Sequence, residues 1–246
     1  MQHQQKTEFC FCAFNLEEKM KRVRLLSAVR ASIGLVALSL SACSSVTNYV
    51  STVKRVAGLG QRADDNNLEP AYRYLRVTVS GNSTFVVLGD IDKHPDGAVE
   101  VYYSSTGEVL RFQNGRLAGA IGLTTEWRRV AFLDTPKWAV ATDGKAIEWT
   151  RVRDEMPGYR YGVEDRVSIR KIAPPNKSSL LDVAPESLTW FEERVIQGKT
   201  TSDNLPVARY AVSFVGNRET VVYGEQCLST HLCLAWQQWA PRKQQK

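Results

Sequence analysis

The chain has 246 residues, 24% of them charged, with a formal net charge of +6. No run of five or more basic residues occurs, which argues against a nucleic-acid partner. Its length is enough for one domain with a real core, or at most two small ones.

In chain order, residues 1–19 come first, and they read as an extension outside the protein proper. Glu8, Glu17 and Glu18 make the segment acidic, and Cys10 and Cys12 are too few and too close for a metal site. Met20 then reads as the true start. Residues 20–42 have the three parts of a secretory signal. A basic opening (Lys21, Arg22, Arg24) precedes an uncharged apolar run from Ala31 to Leu40, and small residues Ser41 and Ala42 lead into Cys43. The run is ten residues, and spanning a bilayer takes roughly 20. Leu40-Ser41-Ala42-Cys43 matches a bacterial lipobox. Cys43 is then the lipidated N-terminus, and Ser44, not aspartate, follows it, which directs release to the outer membrane in enteric-type sorting. Residues 43–70 are small, polar and Asn-rich, a tether ahead of one β-rich domain over 71–246.

Cutting before Cys43 leaves 204 residues. It removes six of 32 basic and three of 26 acidic side chains, so the net charge falls to +3. Half of the net positive charge of the whole chain belongs to its targeting segment.

From Tyr72 the pattern is short strands with turns between them. Tyr72–Val79 alternates apolar with polar, the period of a half-buried strand. Thr84–Leu88, Val99–Tyr103, Val109–Phe112 and Arg116–Ile121 follow. They are separated by Ser80-Gly81-Asn82, Pro95-Asp96-Gly97, Ser105-Thr106-Gly107 and Asn114-Gly115, the last a strong hairpin signal. Glu126–Trp138 is less regular, a short helix or a bulged strand. Ile147–Val152 and Tyr159–Ile172 alternate again, Pro185–Val195 is strand or one helix, and Ala208–Val215 and Glu219–Tyr223 are strands. About ten to twelve hairpin-connected strands predict an all-β fold. It is an antiparallel meander, closed or strongly curved into a barrel.

Beyond Cys43, the remaining cysteines are Cys227 and Cys233, flanking a five-residue connection between strand-like runs. In an exported chain that spacing predicts a disulfide at the mouth of a hairpin, worth on the order of 2 kcal/mol. Its spacing fits neither a redox motif nor a zinc knuckle. Little else supports chemistry. His94 and His231 both fall in loops, there is no nucleophile elbow, and no cluster has metal-ligand spacing. No enzyme activity, metal or cofactor is expected. The densest aromatic and charged stretch is 149–162. Trp149, Arg151, Asp154, Tyr159 and Tyr161 could form a glycan or partner contact, rings stacking on sugar faces and charged groups taking hydroxyls. The other reading is a polar corner between strands, with Asp154 paired to an arginine and Trp149 in the core. Asp154 and Glu155 are adjacent, so they point to opposite faces of a strand, which weakens a paired-carboxylate glycosidase.

Several stretches resemble one family. They are Tyr74-Leu75-Arg76-Val77-Thr78-Val79, Phe85-Val86-Val87-Leu88-Gly89, the run Gly107–Leu117 containing Asn114-Gly115-Arg116, and Gly122-Leu123. Their order behind a lipobox and spacer resembles the YjbF/GfcB lipoproteins, linked with group 4 capsule and exopolysaccharide export. The resemblance covers roughly 72–240 and is most distinctive over 72–123. It implies a mainly β, barrel-like outer-membrane lipoprotein facing the periplasm. Such a protein would be a non-enzymatic helper with protein partners of a polysaccharide-export system. The other functional expectation is a carrier holding a lipid or lipid-linked glycan inside the barrel. A wide apolar cavity would favour the carrier, and a filled interior the accessory factor.

Overall fold

The computed structural model describes residues 68–198 and 205–240, all within one compact unit. The expected signal segment, the expected lipidation site Cys43 and the expected tether up to residue 67 lie outside these residues.

Twelve strands are present among the described residues: β1 Tyr74–Val79, β2 Asn82–Asp92, β3 Val99–Tyr103, β4 Val109–Gln113, β5 Arg116–Ile121, β6 Glu126–Leu133, β7 Ile147–Met156, β8 Arg160–Ile172, β9 Thr189–Gly198, β10 Ala208–Val215, β11 Arg218–Cys227 and β12 Cys233–Trp239. Each pairs antiparallel with its neighbours in chain order, and β1 pairs with β12 to close a barrel. The expected meander barrel is the observed fold. Only one register pair, Ala120 with Trp127, joins β5 to β6, making this the thinnest seam of the wall.

The irregular stretches resolve into mixtures. Glu126–Trp138 is a strand with a register shift at Trp127/Arg129, followed by a short 3-10 helix, Trp138–Asp143. Pro185–Val195 is a single 3-10 turn leading into β9. In the β4–β5 hairpin, Asn114 and Gly115 take φ values of 51° and 78°, the left-handed pair that a two-residue turn requires. Gly115 is also a close approach. A Cβ there would lie 2.2 Å from Val221 Cγ2.

Alternation decides what faces inward. Leu75, Val77 and Val79 of β1 are buried, while Tyr74, Arg76 and Thr78 between them are half-buried on the outside. Rings fill the barrel centre in a connected series. Tyr102 meets Phe112 at 5.8 Å, Phe112 meets Trp236 at 5.0 Å, Trp236 meets Tyr210 at 6.1 Å and Tyr210 meets Trp138 at 4.9 Å. The 3-10 helix delivers Trp138. Its first two free N–H groups, on Trp138 and Ala139, donate to the Glu219 carboxylate at 3.0 Å each.

The segment 173–188, between β8 and β9, runs outside the wall as a strap. Leu180, Val183 and Leu188 pack there with Trp190, Ala211 and Tyr223. Gln237 fixes the crossing twice, accepting from the Leu181 N–H at 2.9 Å and donating to the Leu181 carbonyl at 2.7 Å. The Tyr223 hydroxyl accepts from the Ser179 N–H and donates to Glu225.

Burial pushes the Tyr223 phenol up to about 12, with Glu225 adding to the shift. Burial likewise raises Tyr102 and, more strongly, Tyr210. An unfolded tyrosine ionises near 10. The stability these groups contribute is therefore complete below pH 10. It is lost as pH climbs through their folded values, because the unfolded chain gives up its phenolic protons first. The urea midpoint is expected to fall steeply between about pH 10 and about pH 12. Tyr223→Phe should make that fall shallower. An unchanged slope in the variant would remove Tyr223 from the account.

Candidate functional site

The stretch 149–162 forms the end of the β7–β8 hairpin. Strand alternation splits its candidate residues between two faces. Trp149, Arg151, Arg153 and Glu155 turn inward and are buried, whereas Thr150, Val152 and Asp154 are half-buried on the outside. Asp154 lies 3.7 Å from Arg129 of β6 and accepts the Gly162 N–H at 2.9 Å. Tyr159 stands at the hairpin tip, 77% exposed, and Tyr161 follows at 65%. The five residues therefore do not form one constellation. Asp154, Tyr159 and Tyr161 are accessible. Trp149 and Arg151 belong to the interior and cannot meet a ligand on the outer surface.

Behind the hairpin lies a charged layer inside the barrel. Asp165 of β8 is fully buried and accepts from Arg151 Nε at 2.7 Å and Arg153 Nε at 2.8 Å. Glu155 pairs with Arg153 and with the half-exposed Arg160. Across the interior, Arg116 Nε donates to Glu193 at 2.8 Å. Indole rings lie against the guanidinium groups. Trp127 receives Arg151 at 4.7 Å and Arg153 at 4.8 Å, and Trp138 receives Arg116 at 3.7 Å. Burial lowers the Arg153 pKa, and the Asp165 carboxylate beside it opposes that shift. Buried charges persist only when paired and hydrogen-bonded, and here each carboxylate meets an arginine.

This layer was partly readable in advance. Arg151-x-Arg153-x-Glu155 on a strand places three charges on one face, the face of Trp149. Asp165, Arg116 and Glu193 join them only through strand register, which pairs Arg151 with Asp165 across β7 and β8. The enclosed space beside Arg151, Glu193 and Gln226 amounts to about 10 Å³, room for one water. Rings and guanidinium groups thus occupy the centre that a lipid chain would need. A larger, open groove of about 580 Å³ lies outside the wall against Lys171, Pro174, Glu186 and Trp190, at the root of the strap. Among the described residues no group of three or more His, Cys, Asp or Glu side chains could hold a metal ion.

The hairpin after β11 carries the disulfide. Cys227 and Cys233 are register partners, with their sulfurs bonded at 1.99 Å and their Cα atoms 3.8 Å apart. The Leu228 carbonyl in this loop accepts the indole N–H of Trp127 at 3.1 Å. The stapled loop is thereby tied to the charged layer. His94 and His231 are exposed.

Among solved structures, the hypothetical lipoprotein YmcC from Escherichia coli K12 superposes with a TM-score of 0.52 at 16% identity. The match covers 77% of this chain and 94% of that one. The two chains share a fold. No protein-family model and no curated protein matches the sequence.

Proposed function

We propose that this chain is a lipoprotein, anchored through Cys43 to the periplasmic face of the outer membrane. There it acts without catalysis as an accessory factor in exopolysaccharide or capsule export. The observation that carries the reading is the lipobox Leu40–Cys43 set ahead of a barrel with the fold of a protein described as a lipoprotein. The resemblance to the YjbF/GfcB lipoproteins supplies the polysaccharide pathway.

The filled centre supports an accessory role over a carrier. An acyl chain or lipid-linked sugar needs a cavity of hundreds of cubic ångströms, and aromatic rings and ion pairs take up the core. The buried carboxylates support a non-catalytic role, because Asp165, Glu155 and Glu193 are each engaged by arginine inside the wall. The outer surface then remains for protein partners or glycan. Tyr159, Tyr161 and Asp154 are its most accessible candidates at the hairpin end.

The test is deletion of the gene, complemented with wild type or with Cys43→Ala, followed by quantification of secreted polysaccharide. Loss on deletion, restored by wild type and not by Cys43→Ala, is the expected result. Unchanged polysaccharide in the deletion strain would overturn the pathway.

A further inference from the structure

The outside of the barrel is not uniform. Across β6 to β9 it carries paired charges: Arg129 with Asp154, Arg166 with Glu148 at 2.8 Å and Arg170 with Glu192 at 2.6 Å. Across β9 to β12 the strap covers the apolar row. Across β12, β1, β2 and β3 the outer row is aromatic, and no described residue covers it. Register lines up Trp239, Tyr74, Val87 and Tyr103 on these four adjacent strands, a width of about 15 Å. Phe85 closes the row, 5.4 Å from Trp239 and 6.5 Å from Tyr74, ring centre to ring centre. Tyr103 lies across Gly89, where a Cβ would come within 2.6 Å of its ring. Glycine at that position leaves room for the ring of an exposed tyrosine close against the sheet. Tyr103 is 43% exposed, and Tyr72, just ahead of β1, is 60% exposed.

Two further observations say what covers this face. The described chain enters at Leu68, six residues before β1, and leaves at Ala240, directly after Trp239. One end therefore emerges directly at the patch, and the other lies six residues along the chain from it. The sequence beyond Ala240 contains Arg242, Lys243 and Lys246 and no acid, and Arg76 shares the outer row of β1 with Tyr74, whereas Arg73 is paired with Glu100. Tyrosine and tryptophan rings with basic neighbours are the side chains that settle at a bilayer's headgroup level.

We propose that this aromatic face docks on the anionic lipid surface to which Cys43 tethers the chain, an inference that rests on the lipoprotein reading above. The 24 residues between Cys43 and Leu68 reach at most about 80 Å, so the anchor alone sets no orientation. The aromatic face supplies one. It turns the charged wall of β6–β9, with Tyr159 and Tyr161 at the hairpin end, away from the patch that meets lipid.

The test uses the lipidated chain from Cys43 onward, reconstituted in phosphatidylethanolamine–phosphatidylglycerol vesicles with brominated acyl chains. Of the other five tryptophans, Trp127, Trp138, Trp149 and Trp236 are buried inside the barrel and Trp190 is buried beneath the strap, far round the wall from the patch, whereas Trp239 is half-buried in the patch. Bromolipid quenching of the wild type is expected, with most of it lost in Trp239→Phe, which preserves a ring on the wall. Tyr103→Glu, at an exposed position, should lower the quenching as well. Vesicle-bound protein whose quenching is the same in wild type and Trp239→Phe would overturn docking and leave the lipoprotein reading standing. A dimer in sedimentation that Tyr103→Glu dissociates would also overturn it, in favour of a second copy on this face. A mass for Cys43 without acyl chains would remove the lipoprotein reading and the inference together.

Discussion

Asp165→Asn is expected to destabilise the barrel by about 3–5 kcal/mol, as removal of one partner from a buried ion pair does. Asp165 is the single carboxylate against which both Arg151 and Arg153 donate from Nε, and its side chain is fully buried. The amide keeps the shape and removes the charge. Two guanidinium groups then face each other with less compensation, in a space with room for no more than about one water beside Arg151. Replacing the whole linked group with apolar residues, as in Arg151→Met, Arg153→Met, Glu155→Leu and Asp165→Leu together, should recover much of the loss. The native network offsets its own desolvation cost and little more. Urea unfolding followed by tryptophan fluorescence measures both variants. A loss under about 1 kcal/mol for Asp165→Asn would mean that the layer is hydrated, contrary to its burial.

Trp127→Ala should cost a similar amount, about 3–5 kcal/mol, by a different route. The ring is fully buried and carries three contacts at once. It faces Arg151 and Arg153, and its N–H reaches across to the Leu228 carbonyl. Truncation leaves a cavity beside two charges and frees the stapled hairpin from the opposite wall. Trp127 also supplies the only register pair between β5 and β6, so the damage falls at the thinnest seam. Trp127→Phe retains most of the ring and gives up the hydrogen bond, so it should lose only about 1 kcal/mol. Thermal melts of the two variants separate cavity from hydrogen bond. Equal losses would show that the N–H, not the ring, matters.

Much of this architecture was legible because its causes are local. Alternation over Tyr74–Val79 and the Asn114-Gly115 turn each depend on a few neighbouring residues, and both appear where local chemistry puts them. What was not legible depends on register or on distant chain. Val99–Tyr103 reads as a strand, but nothing nearby says that Tyr103 will lie over Gly89. Leu180, Val183 and Leu188 look like scattered apolar residues in a loop until Trp190 and Tyr223 present the outer surface they cover. The grouping of Trp149, Arg151, Asp154, Tyr159 and Tyr161 followed nearness in the chain. On a strand, nearness in the chain separates side chains as often as it joins them, and the wall of the barrel runs between Arg151 and Asp154.

The pairing of β1 with β12 has a consequence for how the molecule assembles. Every other joint in the ring links strands that follow one another in the chain. This one waits for the last strand. Bringing it to the first closes a loop longer than a hairpin by about five doublings, an entropic penalty roughly 3 kcal/mol greater. Six register pairs offset it. Until they form, β1 and β12 are open edges able to pair with any other chain, so the vulnerable interval in the life of this protein is the time between its eleventh strand and its twelfth.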